Sequence, residues 1–120
     1  MKIPCSRNKN ITLSVIPGHF ATNHSHINYY IDMTGIKYRS MIAKQAGETI
    51  AQFYEHNTSI DTIICMDGCE IIGSCLAEEL TRNGIMSLNR HNSMYIITPE
   101  LDKNGQMIFR DNLQPMVQGK

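Results

Sequence analysis

The stretch Thr62–Leu80, TIICMDGCEIIGSCLAEEL, runs from apolar, β-prone residues through Asp67-Gly68-Cys69-Glu70 into a helical pattern. A turn of this kind can hold an anion. The first amides of a helix lack internal partners, and the helix dipole adds positive potential there. Gly68 lets the backbone approach a ligand closely or take a positive φ. The stretch is neither a G-x-G-x-x-G fingerprint nor a Walker loop, because no Gly-Lys-Ser/Thr follows. A tight strand-to-helix turn without a ligand meets the same pattern. Cys69 opens the helix, where the dipole lowers a thiol pKa. No base stands beside it in sequence, so a plain turn residue is the competing reading.

Three histidines, His19, His24 and His26, fall within eight residues. His24 and His26 share one side of an extended segment. Neutral imidazoles ligate zinc, but no nearby Asp or Cys completes the set. Lys103 and Arg110 are the cations of a late loop. A mobile lid commonly supplies such charges to phosphoryl groups. Solvated surface charge is the alternative. The spacing of Cys5, Cys65, Cys69 and Cys75 matches neither a zinc knuckle nor a compact disulfide scaffold. All four are expected to be reduced thiols, with Cys65 and Cys75 buried as small hydrophobes.

The elements that must position these groups follow from periodicity. Residues 1–10 are polar and expected to fray. Ile11–Pro17 alternates as a strand, and Ile27–Met33 is a second, Ile- and Tyr-rich one. A long polar loop, GHFATNHSH, is expected between them. Alternation puts adjacent Tyr29 and Tyr30 on opposite faces, one in the core. Tyr38, Met41, Ile42, Ala46, Ile50, Phe53 and Tyr54 recur at helical steps, predicting a helix that ends near His56-Asn57. Residues 61–67 form a buried strand. Ile71, Ile72, Cys75, Leu76 and Leu80 mark one face of a second helix, stopped by Asn83-Gly84. Met94–Glu100 is the next strand, and Asn104-Gly105 turns a hairpin or mobile loop. Helix–strand–helix–strand order implies a parallel pair with a right-handed crossover. The final NLQPMVQGK is expected to approach a further strand.

The 120 residues suit one domain with a small core. Eleven basic residues balance eleven acidic ones, so charge provides no pull toward nucleic acid or a membrane surface. No apolar run is long enough to span a bilayer, and MKIPCSRNKN lacks the apolar core of a signal peptide. A cytoplasmic protein is the default expectation.

Residues 61–84, DTIICMDGCEIIGSCLAEELTRNG, resemble the pyrophosphate-binding segment of type I phosphoribosyltransferases. In the orotate branch a strand leads to Gly-x-Glu, then a Gly and a helix of small residues; Gly68, Glu70 and Gly73 stand in those places. HSHINYYIDMTGIKYRS resembles the element carrying an aromatic pair and an acidic residue, here Tyr29, Tyr30 and Asp32. Residues 94–120 resemble the second core strand, the flexible catalytic loop and the Gly-Lys before the next strand. The resemblance covers residues 11–120. It implies an α/β phosphoribosyltransferase-like parallel sheet flanked by helices, with an N-terminal β hood over residues 11–33 and the core over 34–120. The acidic ribose-phosphate motif would begin after Lys120, so residues 1–120 are expected to be the N-terminal portion of one domain, inactive alone.

By the same resemblance, Asp67, Gly68, Cys69, Glu70 and Gly73 would bind pyrophosphate. Tyr29 or Tyr30 would stack on a nucleobase, His24 or His26 would bond its carbonyl, and Lys103 and Arg110 would serve catalysis. The implied ligands are phosphoribosyl pyrophosphate with Mg2+ and a nucleobase, orotate or related, and a homodimer is compatible with them. The alternative is a non-catalytic regulatory relative that binds a nucleotide or phosphate ligand.

Overall fold

The computed structural model describes residues 1–21, 26–66, 68–82 and 94–119. The chain opens with β1 (Lys2–Pro4), β2 (Thr12–Ala21) and β3 (His26–Asp32), an antiparallel sheet in that spatial order. The expectation that residues 1–10 fray is wrong. Met1 and Val15 exchange both main-chain bonds, at 3.1 and 2.8 Å, and the Cys5 amide donates to the Ile11 carbonyl at 2.7 Å. Asn8 donates through Nδ2 to Gln45 Oε1 at 3.2 Å, and the Arg7 guanidinium lies 4.0 Å from the Phe53 ring centre. Polar side chains do not report on such pairing, because main-chain groups make most of it.

The polar loop expected after Pro17 is strand at each of its described residues, 18–21 and 26. β2 continues to Ala21 and β3 starts at His26, with a register shift between Pro17 and Phe20. This ribbon runs past the body of the protein. Val15 is buried, but Tyr29 is 54% and Tyr30 48% exposed. Neither tyrosine is core, contrary to the alternation argument. Alternation assigns a face, and burial needs a second layer over it. Tyr30 packs against Phe20 instead, with ring centres 5.6 Å apart.

The expected helix from Tyr38 is two helices, α1 (Thr34–Tyr38) and α2 (Ser40–Tyr54), divided by extended Arg39 at φ −85° and ψ 117°. The buried face of α2 is Ala43, Ala46, Gly47 and Ala51, while Met41, Ile50, Phe53 and Tyr54 are exposed. Small residues win this face because α3 (Glu70–Arg82) approaches very closely. A Cβ at Gly47 would stand 2.8 Å from the Leu76 amide nitrogen.

α3 connects β4 (Thr62–Ile64) to β5 (Tyr95–Ile97), which pair in parallel as expected. It buries Gly73, Ala77 and Leu80, the last completely. The Asn83-Gly84 stop lies outside the described residues. β6 (Glu100–Leu101) and β7 (Met107–Ile108) form the hairpin signalled by Asn104-Gly105. Asp102 Oδ1 accepts from the amides of Asn104 and Gln106, and Gly105 takes φ +78°. The expected approach to another strand is instead a 3-10 turn, Gln114–Met116, fastened to β4 by Thr62 Oγ1 donating to the Met116 carbonyl at 2.6 Å.

The architecture is therefore mixed α/β, with a three-stranded antiparallel sheet, a two-stranded parallel pair and a small hairpin. The core gathers Ile11, Ile36 and Ala46, with Leu13, Met33, Ile42 and Ile72 packed around them. No described helix is long and apolar enough to cross a membrane.

Candidate functional site at the ends of the parallel strands

β4 and β5 end side by side, Ile64 beside Ile97. In a parallel pair joined through a helix, the space beyond these carboxyl ends is where ligands sit. The turn there is built around Gly68, buried at φ +82°. A side chain would be strained at that angle and would also meet the Tyr38 hydroxyl, 2.6 Å from where a Cβ would stand. The Cys69 amide donates to the Met66 carbonyl at 2.9 Å, closing the turn. The Gly73 amide donates to the Cys69 carbonyl at 2.9 Å, opening the helix. Thr98 Oγ1, just past β5, donates to Glu70 Oε1 at 3.0 Å and ties the helix start to the neighbouring strand end.

Gly73 has a packing task. Any Cβ there would collide with Cys65 Sγ, and Ile63 and Ile96 lie alongside. Cys65 is 3% exposed, and burial, followed by the nearby Glu70 and Cys69 charges, pushes its thiol pKa up. Burial also raises Cys75. Cys65 is the expected buried small hydrophobe, whereas Cys75 is only half-buried. Cys69 is half-buried. Next to it opens an apolar cleft of about 370 Å³, lined by Met33, Ile50, Ile64, Met66 and Ile72 among others.

Sequence reasoning missed Lys37 and Tyr38. They come from the end of α1 and lie over the Gly68 turn, the Lys37 Nζ 3.4 Å from the position a Gly68 Cβ would take. No spacing rule links residues 37 and 68; only the docking of α1 beside α3 brings them together. Thr98 was missed for the same reason.

The other expected participants stay elsewhere. Arg110 donates through Nε to Glu100 Oε1 at 2.8 Å, an exposed ion pair. Lys103 lies in the exposed β6–β7 turn. No hydrogen bond or ion pair among the described residues joins either to the Gly68–Gly73 turn. His26 Nδ1 and His19 Nε2 stand 3.2 Å apart on the ribbon, their rings 5.2 Å between centres. One ring must therefore donate and the other accept. Asp67, His24 and Lys120 lie outside the described residues. No group of three or more His, Cys, Asp or Glu gathers to hold a metal among those described.

The thiol whose pKa is lowered is Cys5, which receives hydrogen bonds from the backbone amides of Asn8 and Arg7. It belongs to the N-terminal turn that had been expected to fray.

Chemically, among the described residues the strand-end turn offers helix-start amides, a lysine and a phenol, groups suited to holding an anion, beside the Glu70 carboxylate. No protein-family model matches this chain, and neither the curated proteins nor the solved structures contain a match to it.

Proposed function

We propose that the chain is a phosphoribosyltransferase-like domain that takes the pyrophosphate of phosphoribosyl pyrophosphate at the Gly68–Gly73 turn. The reaction would pass ribose 5-phosphate to a nucleobase, orotate or related. The observation that carries this reading is the β4–α3–β5 unit with positive-φ Gly68 at its strand end and Lys37 and Tyr38 above it. Magnesium would arrive with the pyrophosphate. It keeps most of its oxygen ligands from phosphate and water, so the Glu70 carboxylate, among the described residues, fits as one ligand and not as a cage. The chain's own work at this place would be to fix the anion through amide hydrogen bonds and to balance its charge with Lys37.

A second reading, a non-catalytic phosphate-ligand-binding regulator, draws on two observations. The cleft beside the turn is apolar, and Arg110 is engaged by Glu100. Titration of labelled protein with magnesium pyrophosphate, followed at the amides of Gly68 to Gly73, tests the shared anion site. Signals unmoved at millimolar ligand, with the protein folded, would remove both readings. Pyrophosphate release from phosphoribosyl pyrophosphate in the presence of a nucleobase separates them: release supports the transferase, and binding without release supports the regulator.

A further inference from the structure

The antiparallel sheet has two outer edges, and they are built differently. Met1 and Val15 form a mutually bonded pair, and Cys5 bonds to Ile11. Bonded and non-bonded pairs alternate along an antiparallel ladder. The outward main-chain groups of β1 are therefore those of Lys2 and Pro4. Proline has no N–H, and lysine is a common guard of free edges, so this edge is blunted.

The same alternation carries across β2. Residues 13, 15 and 17 turn toward β1, so Ser14 and Ile16 bond to Asp32 and Tyr30, their partners in β3. The extra residue of the register shift lies in β2, between Pro17 and Phe20, which leaves the alternation of β3 intact. The free edge of β3 thus presents the amides and carbonyls of Ile27, Tyr29 and Ile31. It carries no proline, no lysine and no bulge. All its side chains from His26 to Ile31 are exposed. Among the described residues β3 pairs with β2 alone.

This edge is complementary to itself. Tyr29 is the midpoint of the seven-residue strand HINYYID. Two antiparallel copies related by a two-fold axis through Tyr29 set Ile27 opposite Ile31, Tyr29 opposite Tyr29, and His26 opposite Asp32. The three outward residues then meet as bonded pairs. The flanking His–Asp pairs are of complementary charge type, where a shifted register would lose them. We infer that the free edge of β3 is a homodimer interface, where a second copy of this chain adds its own β3 to make one continuous six-stranded sheet. Within this sheet, among the described residues, each copy has one edge that is not blunted and uses it once, so pairing through it closes at two.

Sedimentation velocity across the micromolar range, combined with amide exchange, tests this. The expected result is a concentration-dependent monomer–dimer equilibrium. Exchange should slow on dimerisation at Ile27, Tyr29 and Ile31 and stay unchanged at Lys2. Tyr29→Pro removes an outward donor without touching the ladder to β2 and should leave a monomer. His26→Asp sets like charges opposite Asp32 twice and should weaken the dimer by about tenfold or more. His26→Lys should leave it as tight or tighter, and this pair of variants decides the matter if Tyr29→Pro does not fold. A monomer at every concentration would overturn the inference. So would a dimer that leaves the three β3 amides unprotected, equal affinities for the two His26 variants, or open-ended growth beyond two.

Discussion

At the scale of single residues, Gly68 is the position whose backbone the turn demands. Its φ of +82° lies where an L side chain is strained, and the Tyr38 hydroxyl occupies the space a Cβ would need. Gly68→Ala should cost about 1–2 kcal/mol from the angle alone, read as a lowered denaturant midpoint. The variant should also lose the amide response to pyrophosphate. Cys5 supplies a second test. Backbone hydrogen bonds from Asn8 and then Arg7 hold its pKa below the ordinary thiol value, whereas burial holds Cys65 and Cys75 above it. A lowered pKa means more thiolate at a given pH, and the thiolate is the nucleophile. Limited alkylation near neutral pH, mapped by mass spectrometry, should therefore label Cys5 well before Cys65 or Cys75. The Arg110–Glu100 pair is exposed on both sides. Arg110→Ala should change stability by less than about 1 kcal/mol, checked by a denaturant melt.

At the scale of elements, the contact between α2 and α3 decides how closely the layers sit. Gly47 faces Leu76 and Cys75 across that contact, with backbone atoms within 3.0 Å of the place a Cβ would take. Backbone cannot swing aside as a flexible side chain can, so Gly47→Ala should force the helices apart. The expected loss is about 1–3 kcal/mol, from thermal or denaturant melts. A large effect from adding one methyl group would distinguish this helix face from the larger apolar residues beside it. Met41, Phe53 and Tyr54 stand exposed despite falling on the expected helical stripe. The stripe is a real property of the sequence, but it could not reveal that the partner helix needed small residues to dock.

At the scale of the whole molecule, the radius of gyration over Cα atoms is 16.4 Å, against about 14 Å for a compact chain of this length. The excess fits the shape, 48 × 38 × 22 Å, and the ribbon of β2 and β3 that runs past the core. Exposed main-chain hydrogen bonds and few buried contacts mark low local stability. At low protein concentration the amides of β3 bonded to β2 should exchange faster than those of α2 and α3. Equal protection of ribbon and helices would contradict this layout.

The sequence by itself determined what is local. Alternation located β2 and β3, the β4–α3–β5 order with its glycine turn was plain from residues 61–97, and Asn104-Gly105 announced its hairpin. These features depend on backbone preferences and on periodicity within a few residues. Tertiary structure alone decided the rest. It brought Lys37, Tyr38 and Thr98 to the Gly68 turn, left Lys103 and Arg110 without a bond to the described residues of that turn, kept Tyr29 and Tyr30 out of the core, and drew the polar N-terminus into the sheet. Each of these outcomes depends on which surfaces dock across long separations in the chain. Local composition carries no record of that, because burial belongs to a pair of facing layers and not to either one.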